Sequence, residues 1–282
     1  MDKNMDNQLN EFYTGDRFNN ERDESAYNEF MAYWATVRDV SSDKADKISE
    51  NLHNQIVLHE FSKNEKSVKI FLDQTRFRIL YATENVVDVL GYTAEEMLKY
   101  NTALFFRCLT FNHAGFIIRT TKKAFKIFHK VTYNDYVQNL SIIICGVKIK
   151  KRDRSVIQIL MKYTPLEIDD RGLIQTVLIT FEDVSHLLKS DFYWGRWSLG
   201  EHKQFKFHFL SNKKTEITHD IISDREKEVL RLIAQGLDSQ EIGNQLLITK
   251  GTVDNHRKNM IARTGARDTT ALVQLCLSCD II

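Results

Sequence analysis

Between Thr249 and Arg267 the chain carries Lys250, Arg257, Lys258, Arg263 and Arg267 against a single acid, Asp254. Ammonium and guanidinium groups at that density neutralise phosphates. The surrounding sequence is not basic: from His219 onward eight basic residues face nine acidic ones, and the whole chain has a formal charge of +1. Positive charge is therefore concentrated on one element. Phosphate affinity depends on where cations sit more than on net charge, so a near-neutral module with one basic helix can bind a duplex.

The elements that must position this charge are legible from their punctuation. Ser223 followed by Glu226 is a capping box, in which hydroxyl and carboxylate satisfy amides that a helix start leaves unpaired. Val229, Leu230, Leu232 and Ile233 recur at helical spacing up to Gln235, and Gly236 stands where a left-handed C-terminal cap requires a residue without a Cβ. Ser239 is expected to cap a second helix carrying Ile242, Leu246 and Leu247, and Thr249 a third running through Thr264 to Gly265. About two residues separate these helices, which forces a large crossing angle and leaves the third helix protruding from a small apolar core. Asp268 or Thr269 caps a fourth.

The succession SDREKEVLRLIAQG, SQEIGNQL, TKGTVDNHRKNM and ARTGARDTTALV resembles the LuxR-type, or FixJ-type, helix-turn-helix family of bacterial transcription regulators. The resemblance implies that the third helix is a recognition helix and that Thr249, Lys250, Thr252, Val253, Asn255, His256, Arg257 and Lys258 form the DNA-binding set. Asn255 and Lys258 would be directed toward base edges or phosphates and Thr252 toward the backbone, while Arg257 and Lys250 add phosphate charge. Glu226 and Glu241 fall where the family uses acids for internal scaffolding. Two residues depart from the pattern. Asp254 occupies a slot where many members carry a base-reading basic residue, and a carboxylate there repels phosphate but accepts from a cytosine amino group. Gly243 replaces the usual Ala, at a cost of up to about 1 kcal/mol of helix propensity.

A chain of 282 residues predicts about two domains. Tyr27, Phe30, Met31, Trp34 and Val37 share a helical face, and Ala45, Ile48, Leu52, Ile56 and His59 approximately repeat it, so two amphipathic helices are expected, contributing to dimerisation or packing on their own domain. Between Ser67 and His186 the pattern mixes types. VKIFLD and FRILYAT read as strands, NVVDVLGY and TAEEMLKY as short helices and AGFIIRTTKKAFKIFHKV as a longer one; LSIIICGVKI, SVIQILMKYTPLEI and LIQTVLITFEDV follow as three strands, with DDRG a turn between the last two. This order resembles a PAS domain, with Asp73, Asn85, Gly91, Tyr92 and Glu96 at its early positions and Phe181, Glu182 and Asp183 closing the last strand.

The expected fold class is therefore α+β: a PAS-like five-stranded antiparallel sheet with helices, preceded by N-terminal helices and followed by an all-α, four-helix LuxR-type module. The boundaries are 1–64 for the helical segment, 65–190 for the PAS-like sensor, 191–210 for an aromatic β-hairpin in which Phe205, Phe207 and Phe209 alternate with Lys206 and His208, 211–221 for a polar linker, and 222–282 for the DNA-binding module. The hairpin's aromatics suit packing against the sensory core or across a dimer better than single-strand stacking.

No catalytic constellation is present: there is no phosphate-cradling Gly-rich loop, Ser nucleophile elbow or metal-ligand cluster, so an enzyme is not expected. Cys108 lacks the Asn-Cys-Arg context of a flavin photosensor. His113 or His129 would have to be the axial ligand of a haem, yet a lone helical histidine is more often a satisfied residue. Cys276 and Cys279 form a CxxC without a second ligand pair and read as small buried apolar residues. No cofactor or metal is predicted, while a small-molecule ligand of the PAS-like region is left open. The apolar runs are too short to span a bilayer, the first twenty residues lack a signal-peptide core, and four cysteines without framework spacing suit a reducing compartment, so a cytoplasmic location is expected. The whole reads as a one-component transcription regulator, a homodimer binding promoter duplex and acting with the transcription machinery. The alternatives are a protein-interaction adaptor with a degenerate DNA module, or a regulator whose PAS-like domain is purely a dimerisation scaffold.

Overall fold

The computed structural model describes residues 66–110, 113, 116–117, 141–168, 174–189, 191–198, 207–210, 213–217 and 220–282. The predicted N-terminal helices, nearly all of the AGFIIRTTKKAFKIFHKV helix, His129 and the DDRG turn lie outside these residues. Strands β1 (Val68–Asp73) and β2 (Arg78–Ala82) precede helices α1 (Val86–Leu90) and α2 (Ala94–Cys108), and β3 (Ser141–Lys150), β4 (Val156–Ile168) and β5 (Ile174–Asp183) follow. Three shorter strands come next: β6 (Trp194–Ser198), β7 (Phe207–Leu210) and β8 (Lys213–Ile217). Helices α3 (Asp224–Ala234), α4 (Ser239–Leu246), α5 (Lys250–Thr264) and α6 (Thr269–Ser278) close the chain. The fold is α+β with an antiparallel sheet and C-terminal helices.

Strand order is β2-β1-β5-β4-β3-β6-β7-β8. The expected strands between Ser67 and His186 occur as β1 to β5, but the sheet does not stop at five. The aromatic block pairs β6 with β3, placing Trp194 opposite Cys145, and β7 with β6. The polar segment read as a linker contributes β8, which pairs with β7. Its composition, KKTEI, misleads because an edge strand has an unprotected row of backbone groups, and lysines there discourage pairing with another chain. Edge strands and linkers thus look alike in sequence.

Contacts divide the chain into two units, the first holding Lys148–Ile157 and Tyr163–Glu182 with everything up to Gln138, the second Asn139–Val147, Gln158–Lys162 and Asp183–Ile282. In the first, Val68, Ile70 and Leu72 of β1 are buried with Val86, Leu90, Met97, Leu104 and Phe181. Helix α2 starts in a capping box, Thr93 Oγ1 accepting the Glu96 amide and the Glu96 carboxylate accepting the Thr93 amide. Glu96 also pairs with Arg152 at 2.9 Å, and that guanidinium lies over the Tyr92 ring. Most of the PAS-like early positions thus have a local structural role: Asp73 accepts the amides of Thr75 and Arg76, and Asn85 donates to the Ser67 carbonyl.

Within α2, Asn101 breaks the helical conformation at φ 61° and ψ −154°, a region nearly restricted to glycine. Its side chain compensates by accepting the Ile79 amide at 2.6 Å, while Thr102 donates to the Phe77 carbonyl at 3.1 Å. These two bonds hold the bent helix against β2. Replacing Asn101 by Ala keeps the unfavourable backbone and orphans the Ile79 amide, so Asn101→Ala should lower unfolding free energy by about 1–3 kcal/mol, with Asn101→Gly losing less because it relieves the backbone. Denaturant titration of the two variants checks the order.

Candidate nucleic-acid interface

The C-terminal helices start where local chemistry dictates. Ser223 caps α3, its Oγ accepting the Glu226 amide while the Glu226 carboxylate accepts the Ser223 amide at 2.9 Å. Helix α4 is capped one residue earlier than expected. Asp238 accepts the Gln240 and Glu241 amides at 2.7 and 2.9 Å and Glu241 returns the bond, because a carboxylate at that position outcompetes the hydroxyl that follows. Ser239 is instead buried in the first turn and donates to Asp254 at 2.6 Å. Thr249 caps α5 and Asp268 caps α6. Leu247, Ile248 and Thr249 separate α4 from α5, with Leu247 left-handed at φ 55° and 92% exposed.

The close α4–α5 turn explains Gly243. A Cβ there would lie 2.8 Å from the Ile248 carbonyl oxygen, so the absent methyl that weakens helix propensity also lets the turn close tightly.

Val253 and Met260 point inward and are fully buried with Val229, Leu230, Ile242, Leu272 and Leu275. Val253, included in the predicted DNA-binding set, is therefore withdrawn from it: it is a core side chain that fixes α5, with no surface left to touch a ligand. What α5 exposes is a stripe of Gly251, Asn255, Lys258, Asn259 and Ala262, spaced by three and four residues along one face, beside the exposed Thr249 and Lys250 at its start. Thr252 is half-buried, its hydroxyl 2.9 Å from that of Thr249. Asn259 and Ala262 were missed in the sequence reading. The helical period counted forward from Asn255 finds both.

The basic residues do not all face outward. Arg257 is half-buried and donates to the Leu237 carbonyl at 3.4 Å. Arg263 pairs with the buried Glu226, whereas Arg267 is exposed but has its Nε engaged by the Leu188 carbonyl at 2.9 Å. Lys250 and Lys258 are the cations of α5 that stand exposed. His256 is also turned inward, its Nδ1 3.9 Å from Glu226. Asp254 has one carboxylate oxygen engaged by Ser239, so it ties α4 to α5.

Glu226 is the electrostatic centre of this arrangement and is 4% exposed. Burial alone would raise its carboxyl, but the Ser223 amide, the Arg263 guanidinium and the Ser223 hydroxyl together outweigh it and hold the group below its ordinary value of 4.5. Both residues named as scaffolding acids, Glu226 and Glu241, are helix-capping carboxylates here.

Cys276 and Cys279 are buried free thiols, and burial pushes both upward, so neither presents a thiolate. Cys108 is raised to about 12 by burial. His113 is buried with Nδ1 2.5 Å from Thr110 Oγ1. Among the described residues no three His, Cys, Asp or Glu side chains converge as metal ligands would, and no described helix is long and apolar enough to cross a membrane.

Residues 220–276 match the family described as bacterial regulatory proteins, luxR family. Relatives include the transcriptional regulatory protein MctR of Rhizobium johnstonii, 33% identical over 27% of this chain and 36% of its own length. LnrK of Bacillus subtilis is 45% identical over 17% of this chain and 22% of that protein, and the oxygen regulatory protein NreC of Staphylococcus aureus 36% identical over 24% and 32%. The chain thus matches little more than a third of these relatives at most. Among solved structures, Vibrio cholerae VqmA in complex with ligand and DNA is similar at 17% identity over 78% of this chain and 86% of that one, with a TM-score of 0.33. The described C-terminal helices are accordingly those of a luxR-type helix-turn-helix domain.

Because the Glu226 carboxyl is depressed in the folded state, its stabilisation is fully present above its ordinary value of 4.5 and is lost as pH falls through the lowered folded value. Glu226→Gln should be less stable than the parent at pH 7, by on the order of 2 kcal/mol, and should lose less further stability on acidification. Thermal unfolding followed by circular dichroism from pH 7 to pH 3 checks both; parallel pH profiles for the two proteins would contradict the assignment.

Proposed function

We propose that a chain carrying a luxR-type helix-turn-helix at residues 220–276 is a DNA-binding transcription regulator, with α5 entering the major groove of a promoter duplex. One observation supports this most directly: α5 buries Val253 and Met260 while presenting Gly251, Asn255, Lys258, Asn259 and Ala262 to solvent. A helix held by its inner face with a free polar outer face is what groove insertion requires. Asn255 and Lys258 are the base-edge and phosphate candidates, Asn offering a bidentate pattern to adenine and Lys a point charge. Lys250 and Thr249, at the positive end of the helix dipole, are placed for backbone phosphates. Gly251 and Ala262 have no bulk to hold the backbone of α5 away from the bases.

Arg257 and Arg263 contribute less phosphate contact in this reading than their charge implies, because each is half-buried and already has a carbonyl or carboxylate partner. His256 likewise serves the interior. The region of β1 to β5 is proposed as a PAS-like sensor, supported by the strand pair, helices and three antiparallel strands that follow one another there. We assign it no cofactor. The protein acts as a homodimer with two α5 helices about 34 Å apart, reading half-sites one helical turn apart and acting with the transcription machinery. A ligand or partner would shift activity only by favouring one arrangement of the two modules.

The test is fluorescence-anisotropy titration of the full chain against a duplex selected by that chain from a random pool, over a range of salt. Lys258→Ala should weaken binding to all sequences similarly and reduce the salt slope by about 1. Asn255→Ala should cost about 1–3 kcal/mol on the selected site and relax preference at one base position. Salt-independent association, or no selected sequence at all, would favour an adaptor and sink the DNA reading.

A further inference from the structure

The far end of α5 is tied to a segment remote in sequence. Its last residue, Thr264, offers its carbonyl to the indole Nε1 of Trp194 at 3.2 Å, and Trp194 is fully buried in β6. The next three residues pair with the chain leaving β5. Lys189 donates its amide to the Gly265 carbonyl at 2.8 Å and Arg267 donates its amide to the Leu187 carbonyl at 2.9 Å, flanking an antiparallel bridge between Leu188 and Ala266. Gly265 is left-handed at φ 75°, and a Cβ on it would collide with the ring of Phe192. All these residues lie in the second unit, and Ile143, Cys145, Leu160, Leu188 and Trp194 share one apolar cluster with Val253, Met260 and Leu275. A separate tie runs from Arg196 of β6 to the Cys279 carbonyl at 3.4 Å and to Asp220 at 3.7 Å, which also binds Lys227 at 3.0 Å.

We propose that the strap running from Leu187 to Trp194, anchored by the Trp194 indole, is a positioning element for DNA reading. It fixes the C-terminal end of α5 to β3 and β6, so that the reading face follows those strands. The proposal rests on the DNA-binding reading above. Two features favour positioning over obstruction. The strap contacts Thr264 to Arg267, beyond the exposed stripe that ends at Ala262, so strap and duplex do not compete for one surface. Apart from Arg267 Nε, which donates to the Leu188 carbonyl, its bonds go to the backbone of the helix end, which sets orientation without using Lys250 or Lys258 of the reading face. A helix already oriented loses less rotational freedom when it enters the groove, and affinity rises by that saving. Trp194, Phe192 and Gly265 are positioning residues; none touches DNA.

Locking the strap tests this in the docked geometry, the cross-link offsetting part of what the buried Leu188 side chain loses. Leu188 and Ala266 form a non-hydrogen-bonded antiparallel pair, where Cα atoms sit roughly 4.5 Å apart, within disulfide reach. The full-length L188C/A266C protein, oxidised and then reduced, should bind the selected duplex within about twofold of the parent in both states, the cross-link being verified by peptide mass mapping because the native cysteines are buried. Trp194→Phe keeps an aromatic ring at this buried site, smaller than the indole, and removes the donor. It should bind roughly tenfold more weakly with an unchanged salt slope, and the amides of Lys189 and Arg267 should lose hydrogen-exchange protection while those of Val229 and Met260 keep it. Loss of binding in the oxidised cross-linked protein would overturn the proposal, since the docked geometry would then be incompatible with reading. So would a Trp194→Phe protein with released amides and parental affinity. Should Trp194→Phe fail to fold, the cross-linked protein decides. A parent protein that selects no duplex would instead overturn the DNA reading itself, whatever the exchange protection of the strap.

Discussion

A single buried carboxylate organises the C-terminal helices. Glu226 closes the capping box that starts α3, and its other oxygen faces Arg263 near the end of α5 and His256 in its middle. A carboxylate that is 4% exposed is tolerable only when it is fully engaged, since an unpaired buried charge costs several kcal/mol. Engagement requires α3 and α5 to cross in one relative position. Val253 and Met260 complete the constraint from the apolar side, so the orientation of α5 is fixed by charge at one place and by packing at two others. Which residues α5 exposes depends on that orientation.

The same constraint diverts charge from the surface. Five basic residues lie between Thr249 and Arg267, yet Arg257, Arg263 and Arg267 bond to Leu237, Glu226 and Leu188 respectively. Guanidiniums are suited to this because a planar fork satisfies backbone carbonyls and carboxylates with little loss of freedom. The two lysines, compact and strongly hydrated, remain outside, and Arg267 stays exposed beyond the end of α5 despite its bond. A cation count along one helix therefore measures two functions together, internal bracing and surface field, and only the exposed share bears on phosphate.

The helical module also has a larger spatial extent than its sequence boundary. Its core includes Ile143, Cys145 and Leu160 from β3 and β4, and Trp194 from β6, residues far upstream of Ser223. The aromatic block was legible as β structure from its alternation, but its partner was not, because period reports which face is apolar and not what covers it. The segment taken for a linker is β8, whose polar composition is that of an edge strand. Asn101 is a similar case. The short helix read over TAEEMLKY stops at Tyr100, but the sequence does not show that the helix resumes after a bend at Asn101, whose side chain accepts the Ile79 amide of a neighbouring strand.

What the sequence alone determined is what short-range chemistry controls. Helix starts follow from a side chain and amides two or three residues away, so Ser223 and Thr249 could be read directly and Asp268 as one of two candidates, and only at α4 did an adjacent carboxylate displace the expected hydroxyl. The existence of α5 and its positive charge came the same way, and its luxR-type pattern came as a resemblance. Tertiary structure alone decided which of its residues face out. Val253 went inward and Asn259 and Ala262 outward because the core of α3, α4 and α6 selects one face of a helix whose moment is too weak to announce it. It alone decided, too, that Thr264 to Arg267 meet the strap from Leu187 to Trp194, a contact across some seventy residues of chain that depends on closing a long loop, for which local sequence carries no signal.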